Sequence, residues 1–172
     1  MNMKIRIGNG FDFHRIEKKQ TQKSEKPLIL CGVQIESELS IVAHSDGDII
    51  IHTIVDAILG ALNAGDIGTI FPDSDPQWKN ASSVIFLKKS LEIMHTKSFE
   101  ISNLDITIMC EEPKIKPLRN ILVQSLVTIM KIDEDLISIK ATTTEKMGFL
   151  GRGEGIACFA TVCLQSTNSK SL

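Results

Sequence analysis

Apolar residues recur along this chain with two different spacings, and each spacing predicts a different kind of element. Alternation at every second position predicts strands, whose side chains point to opposite faces of a sheet. Spacings of three and four positions predict helices, because such residues fall on one side of the helix. The predicted strands cover residues 4–13, 28–35, 101–110, 136–142 and 155–165.

The clearest helical pattern lies in the first half of the chain. Ser45 is a good N-cap residue, and Asp48, three residues later, completes a capping-box pattern with an acidic side chain. The apolar face of this helix runs from Ile51 to Leu62. Gly65 is expected to end the helix, since glycine readily adopts the left-handed backbone conformation found there.

Two further helices complete the predicted order of elements. The second helix covers residues 82–97, and the third begins at Pro117, a residue that suits the first helical turn. The resulting order, β-β-α-α-β-α-β-β, predicts an α+β fold. We expect a single domain over residues 1–172, with a mixed four-stranded sheet that carries helices on one face.

The last strand is apolar on both of its faces. Cys158 and Val162 lie on one side, and Ala157 and Phe159 lie on the other. Because the helices can cover only one face of the sheet, the other face needs a different partner. We therefore expect the chain to form an oligomer through this face.

Two segments are expected to lie outside the packed fold. Residues 17–26 are all polar, so they cannot bury apolar surface to offset the entropy of ordering and are expected to form a mobile surface loop. Residues 166–172 are expected to form a frayed tail.

Composition and charge narrow the possible classes of function. Apolar residues make up 42% of the chain and the formal net charge is −2, which argues against nucleic acid and against an anionic membrane surface as partners. The chain has no apolar run of the roughly 20 residues needed to span a bilayer. Its four cysteines form no C-x-x-C pair, which favours a reducing cytoplasm.

One group of polar residues has the chemistry of a metal site. Asp12 and His14 are two positions apart on a strand and therefore share a face, while His52 lies on the first helix. Each pattern alone is weak, since a single helical histidine is usually structural. Together, two imidazoles and a carboxylate from two elements suit a tetrahedral zinc site with one open position. His44, just before the helix, is placed to contact a phosphate.

A second polar segment, residues 140–155, combines three threonines, an acid and several glycines. Such a sequence suits a phosphate cradle, with Glu145 available to a divalent cation and Arg152 supplying positive charge. The alternative is a glycine-rich hairpin without any ligand. A third segment, residues 65–75, carries three carboxylates and has the composition of a solvated turn.

In order along the chain, these motifs resemble those of the 2-C-methyl-D-erythritol 2,4-cyclodiphosphate synthase (IspF) family. The resemblance runs from about residue 4 to about residue 164, and it rests on the segments Arg6–His14, Ala43–Asp48, Gly65–Gly68, Phe71–Asp75, Pro113–Lys114 and Thr142–Gly155. It implies a lyase of the non-mevalonate isoprenoid pathway. Such an enzyme converts 4-diphosphocytidyl-2-C-methyl-D-erythritol 2-phosphate to the cyclic diphosphate and releases CMP.

The resemblance also implies cofactors and an assembly. Asp12, His14 and His52 match zinc ligands, and Glu145 matches the ligand of a second ion, Mg²⁺ or Mn²⁺. His44 and Thr143 match catalytic residues that stabilise the transition state. The family forms homotrimers with active sites between adjacent subunits, which agrees with the doubly apolar sheet.

The residues that the resemblance places at the substrate form a longer set. It comprises the metal-site segment, the acidic loop, a cytidine pocket and the glycine-rich segment, namely Asp12, Phe13, His14, His44, Ser45, Asp66, Ile67, Gly68, Phe71, Pro72, Asp73, Ser74, Asp75, Cys110, Glu111, Glu112, Pro113, Lys114, Ile115, Lys116, Thr142, Thr143, Thr144, Glu145, Phe149 and Arg152.

Two other functions use the same residues. A metal-dependent nucleotide-diphosphate phosphohydrolase would use the same ligands but deliver water to the phosphorus, giving a linear product. A non-catalytic trimeric binding module would bind isoprenoid or nucleotide phosphates without turnover, although the intact set of metal-ligand residues argues against it.

Overall fold

The structure is a computed structural model, and it describes residues 3–19, 26–72 and 74–167. Within these residues, six strands form one sheet: β1 (Ile5–Lys18), β2 (Pro27–Leu30), β3 (Val33–Val42), β4 (Phe99–Met109), β5 (Ile137–Thr142) and β6 (Gly155–Ser166). Their order across the sheet is β2-β3-β1-β6-β4-β5. Strands β4 and β5 are parallel, and the other neighbouring pairs are antiparallel.

The sheet is mixed as predicted, but it has six strands, so the prediction of a four-stranded sheet was wrong. The predicted strand over residues 28–35 is divided by a tight turn at Cys31 and Gly32, whose φ angles are 54° and 75°. Positive φ at both central residues suits a two-residue hairpin, because its twist matches that of the paired strands. β2 and β3 therefore form a hairpin, and β3 continues to Val42.

The first strand also extends further than its apolar pattern predicts. β1 continues to Lys18, because Arg15 to Lys18 pair with residues Val42 to Leu39 of β3. The predicted polar loop therefore begins after Lys18 rather than at Glu17. The loop residues 20–25 and the tail residues 168–172 lie outside the described residues, and Ser166 is the last residue of β6.

The described residues contain three long α-helices and two α-helices that are a single turn in length, besides the 3-10 turns Pro76–Trp78 and Glu134–Leu136. The α-helices are α1 (Ile49–Ala61), α2 (Ile67–Ile70), α3 (Ser83–Thr96), α4 (Arg119–Met130) and α5 (Gly148–Gly151). The three long helices confirm the predicted pattern, although α4 begins two residues after Pro117. α2 and α5 were not predicted, because four residues are too few to show helical spacing.

The predicted N-cap of α1 was wrong. Asp48, not Ser45, caps the helix, because its carboxylate accepts a hydrogen bond from the backbone N–H of Ile51. Gly47 has a φ of 75°, so the chain reverses direction just before Asp48 and the helix cannot start earlier. The helix also ends before Gly65, since Asn63 already has a φ of 52°.

Helix α1 packs on the middle of the sheet, against β1 and β6, and α3 packs against α1. Two glycines of β1 allow α1 to approach the strand closely. A Cβ atom on Gly8 would lie 2.0 Å from the carbonyl oxygen of Ala57, and one on Gly10 would lie 1.9 Å from that of Thr53. The backbone of α1 thus rests directly on β1, and this contact sets the distance between their functional side chains.

The opposite face of the sheet carries exposed apolar side chains on β1 and is open in this single chain. Ile7, Phe11 and Phe13 of β1 alternate with the buried glycines and expose 67%, 52% and 50% of their surface. The ring of Phe159, on β6, contacts that of Phe11 at a centroid distance of 5.8 Å. Among the described residues, no helix has the length and apolarity needed to cross a membrane.

Candidate metal centre and ligand cavities

The metal-site residues predicted from the sequence lie together. Asp12 and His14 alternate with exposed phenylalanines on β1, so both side chains point to the face that carries α1. His52 lies in the first turns of α1, which the glycines of β1 hold against the strand. The three side chains expose 28%, 11% and 12% of their surface, so the group is shielded but open to a ligand.

The ligand atoms of these residues have the spacing of a tetrahedral metal site. Oδ2 of Asp12 lies 3.3 Å from Nδ1 of His14 and 3.4 Å from Nδ1 of His52. One atom from each residue lies within 4.8 Å of the other two. Ligands placed tetrahedrally at the usual Zn–N and Zn–O distances of roughly 2.0–2.1 Å are about 3.3 Å apart, which matches the first two distances.

His14 supplies independent support for a metal ion. Its Nδ1 atom is buried and has no hydrogen-bond partner within the described part of the chain, and leaving such an atom unpaired is costly unless a ligand occupies the space beside it. Burial also lowers the pKa of His14, against the opposing effect of Asp12. A lowered pKa keeps the imidazole neutral, and the neutral form is the one that binds metals. The three residues therefore fit a metal ion.

The metal centre lies in a cavity of about 240 Å³. Besides the three candidate ligands, its lining contains five further predicted site residues and three that were not predicted. The lining residues are Asp12, His14, Ala43, His44, Ser45, His52, Ile67, Gly68, Phe71, Trp78 and Phe86. His44 is exposed at this cavity, and the hydroxyl of Ser45 lies 3.1 Å from Nε2 of His52.

The acidic loop is ordered by its own carboxylates. Asp66 caps α2 by accepting hydrogen bonds from the hydroxyl and from the N–H of Thr69, and these bonds lower the pKa of the Asp66 carboxyl. Asp56, one turn after His52 on α1, accepts a bond of 2.7 Å from the N–H of Ile67. α2 is thereby tied to the helix that carries His52. Pro72 and Ser74 are exposed, Asp75 is half-buried and Asp73 lies outside the described residues.

The predicted cytidine pocket forms a second cavity of about 240 Å³. It is lined by residues after β4 and by the end of β5, namely Cys110, Pro113, Lys114, Ile115, Lys116, Ala141, Thr142 and Thr143. Glu111 connects the segment after β4 to the turn at Lys146, since its carboxylate accepts a hydrogen bond from the N–H of Lys146. Glu112 is exposed and lies 3.4 Å from the ammonium group of Lys114.

The glycine-rich segment folds into a turn and the single-turn helix α5. Glu145 is exposed, with a positive φ of 52°, and its N–H donates to the hydroxyl of Thr143. The hydroxyl of Thr144 donates to the carbonyl of Met147. α5 brings the ring of Phe149 to 5.9 Å from that of Phe13, at the apolar face of the sheet.

The predicted site residues that line cavities fall mainly into two groups in this chain, while Phe13 and Phe149 line a third cavity. One surrounds Asp12, His14 and His52, and the other surrounds Thr142 and Thr143, and the two groups line different cavities. Arg152 belongs to neither lining; its guanidinium group pairs with Glu154, which raises the pKa of Arg152.

Sequence reasoning missed several residues around the metal centre. Trp78 and Phe86 form an aromatic wall with Phe71, in which Phe71 and Phe86 are 4.6 Å apart between ring centroids. Trp78 is the only tryptophan in the chain and follows the acidic loop, a signal that could have identified it. Ser83 contacts His52 from another helix, and no local pattern in the sequence indicates that contact.

Fold and site together define an α+β protein with a candidate three-ligand metal centre in the floor of a ligand cavity. The family model of the YgbB family matches residues 5–165. The chain belongs to this family.

Several similar proteins are named for the same enzyme. A 2-C-methyl-D-erythritol 2,4-cyclodiphosphate synthase of Leptospira borgpetersenii is 53% identical over 92% of this chain and 96% of its own. The solved structure of IspF from Plasmodium falciparum in complex with CDP is 41% identical, with a TM-score of 0.84 over 95% of this chain and 97% of that one. The bifunctional IspDF of Campylobacter jejuni has a TM-score of 0.88 and 41% identity, over 96% of this chain and 43% of that one.

Proposed function

We propose that this chain is a 2-C-methyl-D-erythritol 2,4-cyclodiphosphate synthase. In the reaction, an oxygen of the 2-phosphate of the CDP-linked substrate bonds to the β-phosphorus. The bond from that phosphorus to the bridging oxygen breaks, and CMP leaves with the electron pair. The observation that carries this proposal is the convergence of Asp12, His14 and His52 in a ligand cavity, in a chain whose relatives are named for this activity.

The residues indicate which cofactors would take part. Asp12, His14 and His52 would hold Zn²⁺, and Glu145 would hold Mg²⁺ or Mn²⁺. When bound, such ions neutralise phosphate charge and make the phosphorus more electrophilic. The orphaned Nδ1 of His14 supports a metal at the first site. The exposed carboxylate of Glu145, on a sharply turned backbone, is available for the second.

The chain's own residues would bind and orient the substrate rather than react with it. The attacking phosphate oxygen is already an anion, so the reaction requires positioning and charge stabilisation and no strong base. His44 and Ser45 line the cavity of the metal centre, where their side chains would donate hydrogen bonds to the phosphates. Phe71, Trp78 and Phe86 provide an apolar wall that restricts the access of water to the reacting phosphates.

We infer further that the chain works as a homotrimer in which neighbouring subunits complete each active site. Each of the two cavities has a volume of about 240 Å³, below the roughly 300 Å³ at which small-molecule pockets usually begin. Residues of the metal half and residues of the cytidine half line different cavities. The exposed apolar face around Ile7, Phe11 and Phe13 offers the contact surface between subunits.

The remaining predictions complete the proposal. The substrate contacts predicted from the sequence would divide between the two cavities, with Thr143 in the cytidine half and His44 in the metal half. One catalytic domain would suffice for the whole reaction. A cytoplasmic location is supported by four free cysteines, three of them buried, since thiols persist in a reducing compartment.

Product analysis in H₂¹⁸O tests the reaction. The chain is incubated with the cytidine-linked substrate, Zn²⁺ and Mg²⁺, and the products are identified by mass spectrometry and ³¹P NMR. We expect CMP and a cyclic diphosphate without any ¹⁸O, because cyclisation consumes no water. A linear product that carries ¹⁸O would instead identify a phosphohydrolase, and release of no product would contradict both activities.

Two histidine variants connect the reaction to the metal centre. His52→Ala is expected to abolish CMP release and to remove the bound zinc while the circular dichroism spectrum is retained. His95→Ala is the matched control, because His95 is an exposed histidine in the last turn of α3. Full turnover by zinc-free His52→Ala would refute the assignment of the metal site.

A further inference from the structure

Two residues outside the predicted site form a hydrogen-bonded chain behind His52. Nε2 of His52 lies 2.8 Å from the hydroxyl oxygen of Ser83, the first residue of α3. The Ser83 hydroxyl in turn donates to Oδ1 of Asp46, and the Ser83 N–H donates to Oδ2 of the same carboxylate at 2.9 Å. Ser83 has no exposed surface, so water cannot replace these bonds.

The direction of these bonds follows from the number of available hydrogens. A hydroxyl group has one hydrogen to donate, and in Ser83 this hydrogen is directed to Asp46. The oxygen of Ser83 can therefore only accept from His52. Nε2 of His52 must then carry a hydrogen, and in the neutral imidazole this leaves the lone pair on Nδ1.

The unprotonated atom is the one that faces the metal centre. Nδ1 of His52 lies 3.4 Å from Oδ2 of Asp12, in the space into which His14 also points. Metal ligands commonly have their second ring nitrogen hydrogen-bonded in this way, which fixes both the tautomer and the orientation of the ring.

We infer that Ser83 and Asp46 are positioning residues that hold His52 in its Nε2–H tautomer and aim Nδ1 at the metal ion. This inference rests on the metal site of the proposed function. Asp46 acts through Ser83, and its carboxylate is itself oriented by a third donor, the N–H of Asp48 at 3.2 Å. The loop that precedes α1 and the first turn of α3 are thereby joined behind the metal site.

A purely structural role for the pair would be to cap α3. Ser82, the N-cap residue, makes no side-chain cap hydrogen bond, and Asp46 accepts the N–H of Ser83 in its place. Replacement of Ser83 by alanine separates the two roles. The backbone N–H still donates to Asp46 in Ser83→Ala, so the cap remains. The bond between Ser83 and His52 is lost, and Nε2 of His52 keeps only its 3.1 Å contact with the hydroxyl of Ser45.

Ser90→Ala is the matched control. Ser90 is also in α3 and also has no exposed surface, but its hydroxyl donates to the carbonyl of Leu87 and contacts no ligand residue. Both variants delete one buried hydroxyl from the same helix. Comparable losses of stability are therefore expected in the metal-free proteins, and a difference in metal binding reports on His52.

Zinc affinity and the tautomer of His52 are measured on the full chain without substrate. Competition with a chromogenic chelator is expected to show that Ser83→Ala binds Zn²⁺ roughly 10- to 100-fold more weakly than the unaltered chain, and Ser90→Ala about equally well. ¹⁵N NMR of the metal-free chain is expected to show Nε2–H at His52, with a mixture of tautomers in Ser83→Ala.

Equal zinc affinity in Ser83→Ala and Ser90→Ala would overturn the inference, as would an Nδ1–H tautomer in the unaltered chain. Failure to bind zinc at Asp12, His14 and His52 would overturn it as well. Neither measurement involves turnover. A chain that binds zinc as expected but yields no cyclic product would contradict the proposed reaction and leave the role of Ser83 intact.

Discussion

Asp48 is a carboxylate without exposed surface that holds two parts of the chain together through three hydrogen bonds. Its oxygens accept hydrogen bonds from the N–H groups of Cys31, Gly32 and Ile51, that is, from the β2–β3 turn and from the first turn of α1. Burial raises the pKa of Asp48 to about 6, although these bonds oppose the increase. Burial therefore outweighs three hydrogen bonds at this residue.

The raised pKa of Asp48 predicts a specific dependence of stability on pH. Between about pH 4 and pH 6 the folded chain binds a proton that the unfolded chain has lost, so this group's contribution to stability falls as pH rises through that range. Asp48→Asn cannot ionise. Urea unfolding of both proteins at several pH values measures this effect. As pH rises, the free energy of unfolding of the unaltered chain should fall relative to that of the variant, by at most about 1.4 kcal/mol per pH unit. Parallel curves would contradict the raised pKa.

Lys26 is another single residue that holds backbone in place, beside the candidate metal centre. Its ammonium group donates to the carbonyl oxygens of Ala43, His44 and Ser45 at 2.6, 3.1 and 2.5 Å. One side chain thus fixes three consecutive peptide groups of the segment that carries two predicted site residues. No apolar pattern or motif indicates this contact, because it joins residues 17 to 19 positions apart.

Replacement of Lys26 by methionine tests that contact. Lys26→Met keeps the length of the side chain but removes all three hydrogen bonds, so His44 and Ser45 lose part of their fixed geometry. We expect kcat to fall roughly 10-fold or more, while zinc affinity stays the same. Lys19→Met is the control, since Lys19 also donates to a carbonyl, that of Ser37, on the β3 strand. Equal kcat values in the two variants would show that Lys26 does not position the loop.

At the scale of elements, the contact of α1 with β1 decides whether the metal centre can form. Gly10→Ala would place a Cβ atom 1.9 Å from the carbonyl oxygen of Thr53, and a backbone atom of a helix cannot move aside cheaply. We expect the free energy of unfolding to drop by about 3 kcal/mol or more, and zinc affinity to fall, because His52 is displaced from Asp12 and His14.

Gly60→Ala is the control for this prediction on the facing helix. Its added Cβ would lie 3.9 Å from the nearest atom, the carbonyl oxygen of Asn9, which is an ordinary contact. Since alanine favours helix over glycine by about 0.8–1.0 kcal/mol, this variant is expected to be slightly stabilised. Urea unfolding and zinc titration measure both proteins. A Gly10→Ala protein as stable as the unaltered chain would contradict the close packing.

The sequence predicts elements well where local spacing determines them and poorly where distant groups do. The alternation of Leu104, Ile106 and Ile108 predicts β4, and helical spacing predicts α3 within one residue at each end. The N-cap at Asp48 was missed because part of its carboxylate's environment comes from the β2–β3 turn. The turn itself was missed because Cys31 is an unusual residue for a positive φ.

In the candidate site, too, the sequence predicts local proximity but not contacts between distant residues. Asp12 and His14 share a strand face, so their proximity follows from the sequence alone, whereas the approach of His52 depends on how closely α1 packs against two glycines. Ser83 lies 31 residues from His52, and its contact depends on the packing of α3 against α1. The resemblance to a family identified the ligand set, but the residues that orient it required the structure.

At the scale of the whole molecule, the proposed trimer predicts that each active site combines two cavities from neighbouring subunits. His52 belongs to the metal half and Thr143 belongs to the cytidine half. If each active site combines residues from two neighbouring subunits, a subunit with one defective half-site can still contribute its intact half-site to a site shared with its neighbour. Two inactive variants should then form active mixed assemblies.

Co-expression of His52→Ala and Thr143→Ala, each with its own affinity tag, tests this arrangement. In randomly mixed trimers, about a quarter of the sites pair an intact metal half from one variant with an intact cytidine half from the other. Selection for both tags removes the homotrimers, and every remaining trimer contains one such site among its three. Doubly tagged assemblies should therefore release CMP at about a third of the normal rate, although each variant alone is inactive. Asp12→Asn mixed with His52→Ala is the control and should stay inactive, because both changes damage the metal half. Activity that fails to reappear in the first mixture would place both halves of the site in one subunit.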